Sequence, residues 1–329
     1  MLKCRHCNIL QFYIVIFHFD FSIFNFGMLW LFVAVGSYIL LALTALIDKI
    51  LLGGPLSNPK LYAFYVGILS AAAFFLLPFG MWVNPAPLLL LTGAAAGAAQ
   101  IYGSYFYLSA LGRFEASRVV PIIGSLVPIF GFFLTALVSG GTAVLGTKEL
   151  AGFFLLIAGS WLIMAGGFSF KKNGLFSIGT ASLLFALSVV LAKLVYLQLQ
   201  FFNGFLLMAF GSVAAALSFL LDGEVRKTVF GHHTVKKNAR PKFLFFAGQA
   251  MGGIAFMMQS FAVSQAPQAS VPVINAMAGI QYVALFLFSI GISFVHPGIL
   301  KEKVNSGAVV QKAAAIALIM LGLAIFALN

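Results

Sequence analysis

Ten runs of about twenty apolar residues succeed one another along the chain, at 29–52, 60–80, 87–111, 119–139, 149–168, 175–198, 202–221, 243–265, 271–294 and 308–328. A helix of about 20 residues crosses a hydrocarbon core of roughly 30 Å. The pattern therefore predicts an all-α polytopic membrane protein with ten transmembrane helices.

The second half of the pattern repeats the first. Leu43-Thr44-Ala45-Leu46-Ile47-Asp48-Lys49 in the first span answers Leu187-Ser188-Val189-Val190-Leu191-Ala192-Lys193 in the sixth. Glu115-Ala116-Ser117, entering the fourth span, answers Gln268-Ala269-Ser270 before the ninth. The separation grows from 144 to 153 residues, and the longer polar loop at 222–242 accounts for the drift. Residues 28–168 and 175–328 then form two five-helix repeats. Because each has an odd number of crossings, the copies lie upside down relative to one another, which creates a pseudo-two-fold axis in the membrane plane. Inverted repeats of this kind serve secondary transporters, with the substrate site between the halves.

Residues 109–130, SALGRFEASRVVPIIGSLVPIF, form the most distinctive stretch. One helix ends in a polar turn holding Arg113, Glu115 and Arg118, and another begins at once with Pro121 and Pro128 inside it. Prolines delete a backbone donor, yet membrane helices tolerate them where neighbours satisfy the freed carbonyls. Pro121, Ser125 and Pro128 share one helical face.

The run A-S-R-V-V-P-I-I-G-S-L-V-P-I-F at 116–130, followed by an apolar helix and the turn L-G-T-K-E-L at 145–150, resembles the EamA-type domain of the drug/metabolite transporter superfamily. In that turn Gly146 and Glu149, a pair in the family, are separated by Thr147 and Lys148. The resemblance implies a cavity lined by the third, fourth, eighth and ninth spans with the first and sixth, the fifth and tenth being peripheral. It also implies alternating-access transport of small metabolites such as amino acids, directed outward, with Pro121 and Pro128 as bending elements. A lipid or lipid-linked sugar translocase on the same scaffold is the alternative; a non-transporting membrane scaffold is a third reading.

Composition agrees with the hydropathy pattern. Hydrophobic residues make up 62% and charged residues 8% of 329 positions, where an ordinary soluble domain carries about 25% charged residues. The net charge of +12 does not indicate nucleic acid, because most lysines and arginines lie in short loops between spans. They concentrate in the odd-numbered loops, six of them between 222 and 242, which places those loops in the cytoplasm. A multi-pass protein of a prokaryotic inner or plasma membrane is expected. Its partners would be a small-molecule substrate and the lipid bilayer, with a homodimer left open.

Residues 1–27 lack the small-residue packing pattern of the rest. Two readings stay open: an upstream extension with Met28 as the natural start, or an eleventh span that returns the N-terminus to the cytoplasm. Cys4 and Cys7, the two cysteines of the chain, have no second pair with which to complete a tetrahedral metal site. His232 and His233 belong to the basic loop, and neither metal nor cofactor is expected. No aspartate-rich, G-x-S-x-G or H-E-x-x-H arrangement is found, so no enzyme activity is expected.

Candidate path residues are ionisable or polar side chains within the spans. Lys49 and Lys193 each lie within about a turn of a helix end, where snorkelling competes with a substrate-facing role. Acidic residues are nearly absent from the spans, which disfavours proton-coupled export of cations and favours a neutral, zwitterionic or anionic solute; Asp48, the acid that enters the core, stands beside Lys49 and could neutralise it. Gln100, Ser104 and Tyr107 share a face of the third span. Asn275, Gly279 and Tyr282 share a face of the ninth, with Gln281 adjacent, and Ser125 marks the fourth. Interhelical hydrogen bonding and path lining are both open for these. Gly93 with Gly97, and Gly248 with Gly252, form G-x-x-x-G faces suited to close helix contact.

Overall fold

The computed structural model describes residues 29–54, 57–79, 85–138, 147–165, 172–231, 239–265, 277–295 and 306–327. These residues form eleven α-helices and two 3-10 segments, and no strand is found among them. Expectations for residues 1–27 and for Asn275 lie outside the described residues.

Helix α1 (Leu29–Leu52) is a continuous apolar rod that stops at Gly53 and Gly54, with the Gly53 amide bonded to the Lys49 carbonyl at 3.1 Å. Helix α2 (Pro59–Leu69) starts on Asn58, whose side chain accepts from the amides of Lys60 and Leu61 at 2.9 and 3.3 Å. Proline at its first position loses no bond there, because that N–H has no helical partner in any case. The helix tightens into a 3-10 segment over Ser70–Phe79.

There follow α3 (Pro87–Arg113), α4 (Ala116–Val138), α5 (Thr147–Ala165), α6 (Lys172–Tyr196) and α7 (Phe201–Ser218), the last extended by a 3-10 turn at Phe219–Leu221. A short amphipathic α8 (Gly223–Phe230) is capped by Asp222, which accepts from the Glu224 amide at 2.9 Å. Then come α9 (Ala239–Gln265), α10 (Ala278–Val295) and α11 (Ser306–Ala327).

A helix lies in each apolar window of the sequence, and seven helices are both long and apolar enough to cross a membrane. The chain is a membrane-embedded helical protein. Helix α3 is 27 residues long, but Gly, Gln, Ser and Tyr dilute its apolar content. The reason is its position: it packs against α6 on one side and α7 on the other. Helix α1 packs against α9 and α10, α4 against α6, α5 and α10, and α5 against α11.

The α3–α7 crossing is backbone against backbone. A Cβ at Gly97 would stand 1.8 Å from the Met208 carbonyl oxygen, and one at Gly211 would stand 2.0 Å from that of Ala94. The Ser212 hydroxyl donates to the Gly97 carbonyl across this contact at 3.2 Å. The two G-x-x-x-G faces do not meet each other: Gly93 and Gly97 receive α7, whereas Gly248 and Gly252 receive Ile47 and Thr44 of α1.

The α3–α4 turn is held by charge. Glu115 accepts from Arg118 at 2.7 Å and from Lys312 of α11 at 2.8 Å, and Arg118 also donates to the Ile163 carbonyl of α5 at 3.0 Å. Arg118, expected as a loop charge, is therefore interior, with 2% of its side chain exposed. Burial opposes ionisation of Glu115, but the hydrogen bonds and charges of Lys312 and Arg118 outweigh it and hold the carboxyl below its ordinary range. A second ion pair, Lys60 with Asp222 at 2.5 Å, ties the start of α2 to the end of α7 and keeps the Asp222 carboxyl low.

Candidate functional site

A cavity of about 300 Å³ opens where α1, α3, α4, α6, α7, α9 and α10 meet. From α1 its wall takes Leu41, Thr44, Ala45 and Asp48, and from α6 it takes Phe185, Ser188, Val189 and Ala192. Spacings of three and four residues put each set on one helical face. Three of these pairs, Thr44 with Ser188, Ala45 with Val189 and Asp48 with Ala192, fall within the matching segments 43–49 and 187–193, 144 residues apart, and Tyr38 and Tyr196 join the wall beyond them.

Asp48 is the one charged residue on the wall among the described residues. Its side chain is buried, with 7% exposed. Behind it, the Tyr62 hydroxyl of α2 and the Gln249 amide of α9 both donate to Oδ1, the latter at 3.2 Å, and Gln249 also donates to the Tyr62 oxygen at 3.0 Å. Both bonds end on the same oxygen, Oδ1, and the acid lines the cavity wall. Tyr107 of α3 lies within electrostatic reach of the carboxylate and packs against Phe185.

Two further hydroxyls shape the wall. Tyr38 accepts from the Gln259 amide at 3.1 Å. Tyr282 is 1% exposed, and its hydroxyl is buried without a hydrogen-bond partner. It fits because position 124 is glycine: a Cβ there would lie 1.6 Å from the phenolic oxygen. Gly124 stands four residues before Pro128, which has no N–H to return to the Gly124 carbonyl. A turn of α4 that lacks a backbone hydrogen bond thus faces the cavity, and Gly124, Val127 and Pro128 all line it.

Of the residues expected on the path, Gln100, Ser104, Tyr107 and Gln281 line the cavity. Ser104 bonds to the Gln100 carbonyl of its own helix at 2.8 Å. Lys49, Lys193, Ser125 and Pro121 are not on the wall. The Lys49 amine donates to the carbonyls of Leu111 and Phe114 at 2.7 and 2.6 Å, closing the C-terminal end of α3. Lys193 reaches the Val263 carbonyl in the last turn of α9 at 3.3 Å. A cation at a helix C-terminus satisfies orphan carbonyls and complements the helix dipole. Ser125 instead joins α4 to α5 through Ser160.

The larger departure concerns Asp48. Read as a neutraliser of Lys49, it is held by Tyr62 and Gln249 while the lysine bonds elsewhere. The sequence signal was present, because Thr44 and Asp48 stand one turn apart facing the cavity and Lys49 is turned about 100° away. Tyr282, expected on the lining face of the ninth span, does line the cavity, whereas Tyr62 and Gln249 gave no signal of their own, since each acquires its role by contact with a distant helix.

No family model and no curated protein matches the chain. Among solved structures, a crystal structure with 19% sequence identity covers 92% of this chain and 96% of its own length, with a TM-score of 0.57. Nearly the whole chain therefore shares its fold with a protein of known structure.

Proposed function

We propose that this chain is a secondary transporter of the EamA type, built as two inverted five-helix repeats, that carries small metabolites such as amino acids outward by alternating access. One observation carries the reading: three positions that the matching segments share, Thr44 with Ser188, Ala45 with Val189 and Asp48 with Ala192, line the same cavity. The lysine that follows each set supports it, because each caps the end of the third helix of its own half.

The packing has the same correspondence. Helix α1 pairs with α9 as α6 pairs with α3, and α1 meets α10 as α6 meets α4. Two halves meeting around a shared chamber can rock against each other, exposing it to either side in turn. The Gly124–Pro128 turn gives α4 a place to bend. A lipid-linked sugar translocase would call for a basic pocket, and the cavity wall carries a carboxylate instead.

The test is uptake by proteoliposomes with a panel of labelled amino acids and amines, and with labelled polyprenyl phosphate. Saturable movement of a small solute is expected. Movement of the polyprenyl phosphate alone would favour the translocase, and folded protein that moves nothing would refute transport.

A further inference from the structure

We propose that the cavity selects a small organic cation, a solute that carries an ammonium group and no carboxylate, with its nitrogen seated on the Asp48 carboxylate. The proposal rests on the cavity's being the substrate chamber, and among small metabolites it favours amines over amino acids, against the neutral, zwitterionic or anionic solute expected from the sequence.

The first argument is charge. Asp48 is the one charged group on the wall among the described residues, and its hydrogen-bonding partners, Tyr62 and Gln249, are neutral. The nearby cations serve other groups: Lys49 closes α3, Lys193 reaches α9, and Arg118 and Lys312 hold Glu115. A buried carboxyl group carries its negative charge at a cost unless a cation accompanies it, and a ligand cation supplies that partner. The titratable groups that face it from packed elements are Tyr62 of α2 and Tyr107 of α3. Neither brings a positive charge.

The second argument is asymmetry. The repeat position matching Asp48 is Ala192, which lines the same cavity. Among the described residues the wall therefore offers one acid and no cation. An amino acid entering the chamber would find a partner for its ammonium and none for its carboxylate; the corresponding amine loses nothing.

The third argument is the remaining surface. Tyr107, Phe185, Tyr196, Phe256 and Tyr282 contribute aromatic wall, and aromatic faces attract cations that have shed water. A volume of about 300 Å³ corresponds to roughly ten water molecules at about 30 Å³ each, which suits a compact amine.

Equilibrium binding to the full chain in detergent would use tritiated phenethylamine, with phenylalanine, 3-phenylpropionate and 2-phenylethanol as competitors. Phenethylamine should bind and the others should compete poorly. Asp48→Asn keeps an oxygen for Tyr62 and should weaken binding about 10- to 100-fold, the range for losing a charged hydrogen bond. Phenylpropionate or phenylalanine binding as well as the amine, no binding by any member, or unchanged affinity in folded Asp48→Asn would each overturn the cation assignment. The competitor series needs only the wild-type chain, so it decides the question even if the variant misfolds. Counterflow of the same amine in proteoliposomes separates the two readings. Binding without movement would sink the transporter and leave the cation site; movement of phenylalanine or phenylpropionate but not phenethylamine would do the reverse.

Discussion

The α3–α7 contact permits a quantitative test through Gly97→Ala. The added methyl would stand 1.8 Å from the Met208 carbonyl oxygen, 2.7 Å from the Ser212 amide nitrogen and 2.8 Å from the Met208 carbonyl carbon. All three are backbone atoms inside a helix, so no rotamer change relieves the overlap. Ordinary contact requires a separation of about 3.4 Å, so α7 must retreat by roughly 1.5 Å along its line of contact with α3. Overpacking of this kind costs about 1–3 kcal/mol. The retreat also stretches the Ser212–Gly97 hydrogen bond, now 3.2 Å, for about another 1 kcal/mol. The expected loss is therefore about 2–4 kcal/mol. The control is Gly253→Ala, in the interior of α9, where a Cβ would meet nothing within 4 Å. Helix propensity there favours alanine by up to about 1 kcal/mol. Thermal unfolding of the purified protein in detergent, with size-exclusion profiles before and after, measures both. If Gly97→Ala melts with the wild type, or if Gly253→Ala falls as far, the claim that the backbones touch at Gly97 is wrong.

Four further outcomes follow from the geometry. Lys49→Met removes two hydrogen bonds to the end of α3 and should lower stability by about 1.5–3 kcal/mol while leaving substrate KM unchanged; a raised KM with normal unfolding would return Lys49 to the path. Pro128→Ala restores a donor to the Gly124 carbonyl, so it should raise the unfolding midpoint and slow transport several-fold, and transport at full rate would remove the bend from the mechanism. Glu115 titrates below its ordinary value, so the stability its pairs supply is complete above the unfolded carboxyl value of about 4.3 and is lost as pH falls through the lower folded value. Glu115→Gln should be less stable than wild type at pH 7, with the gap closing in acid; a constant gap in unfolding midpoints between pH 7 and pH 3 would contradict this. With both native cysteines replaced, Lys227→Cys in α8 should react in intact cells with a membrane-permeant maleimide only, and labelling by an impermeant reagent would reverse the orientation.

The sequence by itself determined where the helices run, because crossing a bilayer demands an unbroken apolar length and the chain has few other ways to satisfy its backbone there. It also contained the internal match on which the proposed duplication rests, since Thr44 and Ser188 or Lys49 and Lys193 keep their spacing whatever the helices pack against. What it left open was which neighbour each polar residue would find. Asp48 and Lys49 are adjacent in the chain and read equally well as a pair, yet a rotation of about 100° per residue puts one on the cavity and sends the other to the end of α3. Arg118 reads as a loop charge until Glu115, Lys312 and the Ile163 carbonyl close around it. Tertiary structure alone decided these, because the partners that turn a buried charge from a liability into a site come from helices up to about two hundred residues away, as Gln249 does for Asp48.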